Sequence, residues 1–558
     1  MAVPTRQVRT RPVPLLFALI LGACGFHALN NDHVWWQITL GEWVWSHRQI
    51  PEIGTFSLNA ESIFPFYDTF GSVALYLTYE LAGVWGLVML RIVALFTVGL
   101  LLAKAAYGPI AHAHRLAYLR SAATFVSLGL VGAIILPFAE IDTRLFSLVF
   151  SALFLYILRR EERRPRSRLL WILPFAQLVW AQCDQYAAFG LLLVGAQSVR
   201  TFFRVDDRRL FSRFALNAFF CGLTLLSVPS GIDLVRVPLM ELFIEGTSSY
   251  ALNGGLYLSP RSLFNEYPSF ILMVLIWLLP RKKNSRHSWL ERVPGGLFIF
   301  LSYWIDLIPY VAISLLPGVT RRLEMVFIWQ LGRQRDRLRP TAAAAISTFI
   351  GCMTMVYTYV IHYSPEVRHA AVSTRLPVEA SRFLNTHPIP GHMYNSISLG
   401  SYLIHSLAPE QKVFVDSRGA NAFYSKDLIA RVSQAAGDEE TWNELVHQKN
   451  VTHVILHYDP EKPTYAFLHE SPQWHLVYWG DAVAILVKKD ERTAEFIAKH
   501  AFKTIRVGST MGRIANWQWE DAGDLLSDLK ENVRRNPSSY RAKTMLELAE
   551  HAMAEAKP

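Results

Sequence analysis

Long apolar stretches recur through the first two thirds of the chain, separated by short loops that carry clustered arginines, and the pattern changes to short alternating runs after Thr374. The first stretch, Val13 to Leu29, is about long enough to cross a thin bilayer between Pro12 and Asn30. Further stretches follow at Leu81 to Ala106, Ala122 to Phe138, Phe146 to Leu158, Leu169 to Ala181, Ala187 to Val199, Phe214 to Ser227, Phe270 to Leu279, Gly296 to Tyr310 and Ala342 to His362. Val311 to Gln330 carries Pro317 and Arg321-Arg322 inside an apolar run, and reads as a broken or re-entrant return. The pattern predicts an α-helical multi-pass membrane domain of about eleven spans.

The C-terminal third reads differently. Apolar positions there predict helices over Pro377 to Thr386, Leu399 to His405, Ser425 to Ala436 and Glu440 to Gln448. They predict strands over His392 to Asn395, Lys412 to Asp416, Val451 to Leu456, Trp474 to Tyr478 and Val483 to Val487. Asp521 to Ala556 is a helical tail broken at Asn536-Pro537, similar to one tetratricopeptide-type helix pair. A single pair cannot bury its own apolar face, so it packs on the domain or on a protein partner. The expected organisation is a cytoplasmic N-terminus over 1–12 and a transmembrane domain over 13–365 with an external amphipathic loop at 30–80. A soluble α/β domain over 374–490 and the tail over 491–558 complete it.

Composition supports this class, with 52% hydrophobic and 13% aromatic residues in 558. The formal charge of +10 does not indicate nucleic acid, because the cations come as clusters between apolar runs: Arg159-Arg160 with Arg163-Arg164, Arg208-Arg209, Arg281-Lys282-Lys283 and Arg333 to Arg339. Such clusters mark cytoplasmic loops. Arg6, Arg9 and Arg11, with no acid before Asp32, place the N-terminus inside, so Asp32 and the 374–490 domain face outward. By the same rule Phe66 to Glu80 lies at the interface rather than across it. Cys24, Cys183, Cys221 and Cys352 lack metal-ligand spacing, so neither a disulfide framework nor a metal is indicated, and no cofactor is implied.

Candidate chemistry gathers beside the expected outer face. Asn31-Asp32-His33-Val34-Trp35-Trp36 follows the first stretch, where a carboxylate meets lipid-borne substrates. Asp32 is a candidate general base, or the N-cap of the helix His33 to His47; Asp68 is a second candidate base, or the start of its own helix. Trp35, Trp36, Trp43 and Trp45 either stack on sugar or shield an isoprenoid, or anchor at the headgroup level. Arg144 sits at the outer end of a span beside Glu140 and Asp142, and its guanidinium suits either a phosphate or those carboxylates. Asp184, between two spans, faces a cavity, a partner or a solvated turn. Asp306, a lone acid in an apolar run, asks for a partner such as Arg321 or Arg322. Asp416 and Arg418 lie just beyond an expected strand, either as a ligand site or as a loop-fixing ion pair.

A series of short motifs resembles a group of bacterial polytopic membrane proteins related to the C-type (GT-C fold) glycosyltransferases. It comprises Trp35-Trp36 with Gly41-Glu42-Trp43, Ile50-Pro51, Thr55-Phe56-Ser57, Arg144-Leu145-Phe146-Ser147, Leu173-Pro174 with Trp180, Gly400-Ser401-Tyr402-Leu403 and Val413 to Arg418. The resemblance implies sugar transfer from a polyprenyl-phosphate donor to an envelope glycan, lipid or protein, at the outer face of a bacterial inner membrane. Asp32 and Asp68 are then the candidate catalytic acids, and Arg144, His33, Trp35, Trp36 and Asp184 the candidate substrate contacts. The chain departs from the group where acids or histidines are expected, placing His33, Gln37, Ile53-Gly54 and Gln182-Cys183-Asp184 there. A non-catalytic scaffold or glycan- or lipid-binding component of envelope assembly is the competing class.

Overall fold

The computed structural model describes residues 12–29, 32–52, 54–60, 68–106, 114–165, 168–204, 208–229, 231–232, 234, 266–279, 293–301, 305–333, 340–362, 376–417, 424–457, 464–507 and 522–555. It divides into two compact units: Met1–Leu29 with Pro65–Ala371, and Asn30–Phe64 with Val372–Pro558. Helices α1 (Pro12–Ala23), α2 (His33–His47), α3 (Thr69–Ala106), α4 (His114–Ile135), α5 (Arg144–Arg163), α6 (Ile172–Trp180), α7 (Ala188–Arg204) and α8 (Arg208–Ser227) come first. They are followed by α9 (Pro268–Leu278), α10 (Val293–Leu301), α11 (Ile308–Arg333) and α12 (Pro340–His362). All but α2 belong to the first unit.

Among the described residues, four helical segments are long and apolar enough to cross a membrane: Thr69–Ala106, Arg120–Phe138, Gln185–Phe203 and Arg208–Ser227. Shorter apolar helices lie at Pro14–Ala23, Arg168–Trp180, Pro268–Leu278 and Ile346–Val360. The helices pack through small residues, since apolar side chains gain little by leaving lipid for protein and close backbone approach supplies the attraction. A Cβ on Gly129 of α4 would stand 2.5 Å from the Gly351 Cα of α12, and one on Gly99 of α3 would stand 2.9 Å from the Ala18 Cα of α1.

Two expectations for this unit change. The described part of the segment ahead of Leu81 is helical from Thr69 and meets the rest of α3 at a kink, with Gly83 at φ 59°; Phe66 and Tyr67 lie outside the described residues. Gly296 to Tyr310 is not one α-helix, because a short 3-10 turn at Ile305–Leu307 lies between α10 and α11. Val311 to Gln330 is not broken or re-entrant: α11 continues through Pro317. Proline removes one backbone donor, but neighbours inside a bundle compensate, and the cation that suggested a return to water is satisfied internally. Arg322 donates to the Leu279 and Gly318 carbonyls at 3.2 and 3.1 Å and lies over the Trp277 ring at 5.0 Å.

The second unit is a mixed four-stranded sheet, β1 (His392–Asn395), β2 (Val451–His457), β3 (Trp474–Trp479) and β4 (Val483–Lys488), in the order β1-β2-β4-β3. β1 runs parallel to β2, and β4 is antiparallel to both β2 and β3. β2 is buried along nearly its whole length, including Thr452 and His453 among its apolar residues, as an inner strand is. Helices α13 (Val378–Thr386), α14 (Gly400–Leu407), α15 (Lys426–Ala435) and α16 (Glu439–Gln448) match the expected positions within a few residues.

Lys412 to Asp416 does not form the expected strand; only a single parallel bridge links Ser57 and Val413. Its backbone is taken by other groups instead. Phe414 N donates to Asn395 Oδ1 at 2.8 Å, Asn395 Nδ2 donates to the Val415 carbonyl at 2.7 Å, and Asn59 Nδ2 donates to the Phe414 carbonyl at 3.1 Å. The tail helices α17 (Ala522–Arg535) and α18 (Tyr540–Glu555) pack on the domain. Arg535 donates to the Val477 and His500 carbonyls at 2.5 and 2.6 Å, and Asp481 accepts the Tyr540 and Arg541 amides at 2.9 and 2.8 Å, capping α18.

Candidate functional site

Arg144 opens α5, and the two residues before it decide its geometry. Asp142 Oδ1 accepts the Arg144 amide at 2.9 Å, which tucks the carboxylate under the first turn of the helix. Its other oxygen then meets the guanidinium, with Arg144 Nε donating at 2.7 Å and an NH2 at 2.6 Å. Asp142 is buried, whereas the Arg144 side chain keeps 33% of its surface exposed. The third partner comes from far along the chain: Asp306 Oδ1 lies 3.5 Å from Arg144 NH1, and Tyr186 donates its hydroxyl to Asp306 Oδ2 at 3.0 Å.

This corrects the expected pairing of Asp306 with Arg321 or Arg322. Asp306 is in the turn that leads into α11, and the two arginines lie some four helical turns further on, roughly 20 Å away along the axis. The acid therefore finds its cation at the beginning of α5. Of the five guanidinium N–H groups, Nε, one on NH2 and one on NH1 face these carboxylates, and two are left over.

Asp184 and Asp68 belong to the same end of the unit. Asp184 is not in a solvated turn: it is buried and accepts from Ser147, whose oxygen also accepts from Trp180 Nε1 at 2.6 Å. The Arg-x-x-Ser spacing on α5 thus places Ser147 one turn inside Arg144, against the tryptophan that ends α6. Asp68 precedes α3 and lies within electrostatic reach of Asp184 and Cys183. The first turn of α3 is clamped there by Phe70 N donating to the Gln182 carbonyl at 2.9 Å. Gly71 is the residue at the contact because a Cβ would stand 2.7 Å from the Cys183 oxygen. On the far side of Asp142, Glu140 lies 3.7 Å from Arg91, whose guanidinium is fully buried and donates to the Gly25 and His27 carbonyls.

The first unit therefore gathers Asp68, Arg144 and Asp184, three of the candidates, with Glu140, Asp142 and Asp306. Tyr186, Ser147 and Trp180 complete the set and were not singled out as site residues from the sequence; the only signal for Tyr186 was its place two residues after Asp184. Burial pushes the carboxyls of Glu140 and Asp184 up to about 7 each. Among the described residues, no group of three or more His, Cys, Asp or Glu side chains is placed to hold a metal ion.

The other candidates, Asp32, His33, Trp35 and Trp36, belong to the second unit. Asp32 precedes α2 but makes no side-chain cap; its Oδ2 accepts from Ser417 Oγ at 2.8 Å, and Ser417 pairs with Ser401 Oγ at 2.7 Å. Trp35 and Trp36 are 3% and 8% exposed, which is inconsistent with simple anchoring in headgroups. Trp35 meets the Tyr402 and His405 rings of α14 at 5.0 Å each, and Thr39 Oγ1 lies 3.2 Å from His405 Nδ1. Burial lowers the His405 imidazole to about 4, so it is neutral at physiological pH. Trp45, 42% exposed, and the half-buried His33 are not part of this packing core. Asp416 is buried and accepts from Tyr424, whose hydroxyl is 3.0 Å from Ser57 Oγ; Arg418 lies outside the described residues.

No protein-family model matches the sequence, and no curated protein sequence matches it either. Solved structures do. An oligosaccharyltransferase from Archaeoglobus fulgidus, crystallised with Zn and sulfate, is 10% identical with a TM-score of 0.50, covering 98% of this chain and 86% of that one. A mutant of the arabinofuranosyltransferase AftD from Mycobacteria is 13% identical with a TM-score of 0.50, covering 88% of this chain but only 42% of that one. Both have the GT-C fold, and this chain is a membrane protein of that fold.

The buried acid gives a pH test. Asp184 is raised from about 3.8 unfolded to about 7 folded, so its contribution to stability is complete below about pH 4 and is lost as pH rises to about 7. Asp184→Asn keeps an acceptor for Ser147 and cannot ionise. The thermal midpoint of the purified variant should fall less between pH 4 and pH 7.5 than that of the wild type. Glu140 contributes a fall of the same sign, so part of the slope remains. Equal slopes in the two proteins would show that Asp184 is not held protonated by burial.

Proposed function

We propose that the protein is a membrane glycosyltransferase that transfers a sugar from a polyprenyl-phosphate donor to an envelope glycan, lipid or protein at the outer face of a bacterial inner membrane. The observation that carries this reading is the Arg144 guanidinium. Two carboxylates fix its plane, one-third of its surface is open, and two N–H donors remain for phosphate oxygens. The GT-C fold, seen in the two transferases above, supports the reaction class.

In the proposed step an acceptor hydroxyl attacks the anomeric carbon of the donor sugar. The bond from that carbon to the phosphate oxygen breaks, and its electron pair leaves with the polyprenyl phosphate held by Arg144. The hydroxyl proton passes to a carboxylate, for which Asp68, in the same unit as Arg144, is the first choice and Asp32 the second. Asp184 holds the start of α5 through Ser147 rather than touching substrate. His33, Trp35 and Trp36 lie in the first turn of α2 in the second unit and are proposed as further substrate contacts. The proposed topology of about eleven spans with the second unit outside rests on the apolar stretches and arginine clusters of the sequence.

One observation favours the second reading, a non-catalytic component that binds glycan or lipid. Asp68, Asp142 and Asp306 outweigh Arg144 in charge, which repels an anionic donor and suits sugar hydroxyls instead. Binding and turnover separate the two. In the transferase reading, Asp68→Asn binds a radiolabelled polyprenyl-phosphate sugar as the wild type does but transfers it at least about 100-fold more slowly, the scale of lost general-base catalysis. Arg144→Lys retains the charge, loses the fork and weakens donor binding. Wild-type protein that binds free glycan but never the lipid-linked sugar would exclude transfer. Full turnover in Asp68→Asn alone would move the base to Asp32. Arg144→Gln is a poor probe, since it takes the guanidinium from the buried Asp142 and so costs stability whatever the residue's role.

A further inference from the structure

The end of the first unit that carries Arg144 also holds a pair of aromatic rings that the proposed reaction leaves unassigned. Phe138 closes the 3-10 turn Leu136–Phe138, two residues before Glu140 and six before Arg144. Tyr267 stands immediately ahead of α9, where Pro268 in the next position disfavours the helical conformation for it and leaves it at φ −125°, off the helix path. The two rings meet with centroids 5.7 Å apart and planes 24° from parallel. Asp306, the acid 3.5 Å from Arg144 NH1, lies within electrostatic reach of Tyr267.

Two other aromatic residues near Asp306 are engaged within the protein. Tyr310 is buried against the Tyr186 and Phe189 rings at 5.3 and 5.7 Å, and Tyr186 gives its hydroxyl to Asp306. Phe138 and Tyr267 are both half-buried, so this pair keeps part of its surface outside the core. A sugar ring has an apolar face of C–H groups and a rim of hydroxyls, and is matched by an aromatic surface with hydrogen-bond acceptors beside it. Asp306 supplies such acceptors, since each carboxylate oxygen takes two hydrogen bonds and Tyr186 fills one place on Oδ2. In a polyprenyl-phosphate sugar the ring is joined to the phosphate through a single oxygen, so a phosphate on Arg144 brings the sugar to these groups.

We propose that Phe138 and Tyr267 form the platform against which the donor sugar rests beside Arg144, with Asp306 accepting from its hydroxyls. The platform presupposes that Arg144 holds the phosphate of a lipid-linked sugar, as proposed above, and it recognises the sugar itself. Arg144 then serves any lipid phosphate, whereas the two rings favour one that carries a sugar.

The test compares two radiolabelled lipids on the full-length protein purified in a neutral detergent: undecaprenyl-phosphate glucose, and undecaprenyl methyl phosphate, which keeps the phosphodiester charge and has no sugar. The wild type should bind the sugar lipid at least about 5-fold more tightly than the methyl ester, the scale of one aromatic contact. Tyr267→Ala and Phe138→Leu should each bring that ratio below about 2-fold without weakening the methyl ester, and Tyr267→Phe, which keeps the ring, should retain it. Arg144→Lys should weaken both lipids alike. Each variant is judged by the ratio between two lipids on the same preparation, so a loss of folded protein does not imitate the effect. Equal binding of the two lipids by the wild type, or an unchanged ratio in either Tyr267→Ala or Phe138→Leu, would overturn the platform and leave the phosphate site standing. A wild type that binds neither lipid would remove the phosphate site and the platform with it.

Discussion

The ion array on Arg144 fixes the arrangement of its end of the helical unit. Arg144 joins the turn before α5 to the turn before α11, and Tyr186 extends the connection to the turn before α7. No continuous helix provides these links, because each participant sits where a helix begins. A guanidinium can bridge them because its planar fork meets one carboxylate along an edge while its remaining nitrogen addresses another. Where water is partly excluded such pairs are stronger than on a surface, and removing one member leaves charge stranded.

The rest of the unit follows from that constraint. With the start of α5 fixed, Ser147 is brought against Trp180 and Asp184, so the end of α6 and the entry to α7 are held as well. Gly71 allows the start of α3 to close on the same turn. The helix then carries its apolar side chains to the ion pairs at its other end, Arg159 with Glu162 and Arg213 with Glu161. A helix with polar groups at both ends and an apolar middle is the form a membrane-crossing support takes.

Much of the architecture is legible in the sequence because burial leaves a periodic trace. Strands Val451–His457 and Val483–Lys488 are apolar enough to be found without a partner in view, and the helices flanking them show their spacing. Lys412 to Asp416 looks the same locally, yet beyond the single bridge at Val413 its backbone partners include side chains such as Asn395, which no periodicity announces. Pro317 and Arg322 suggested a break in α11, but whether proline and arginine interrupt a helix depends on neighbours such as Trp277. For the site, residue type was informative and pairing was not. Asp306 was recognisable as an acid in need of a cation, while the choice of Arg144 over Arg321 or Arg322 is set by tertiary structure. Trp35 and Trp36 have the composition of an interfacial anchor and are buried instead, Trp35 against α14, since an amphipathic ring is equally suited to either setting.

A double-mutant cycle on Arg144→Gln and Asp306→Asn, read as unfolding free energies of the purified protein, addresses the central link most directly. If Arg144 bridges the two turns, the paired substitution costs less than the sum of the singles by more than about 0.5 kcal/mol, because each single change already breaks the contact. Additivity within about 0.5 kcal/mol would contradict the account, leaving Arg144 as a local partner of Asp142 with no hold on the turn before α11.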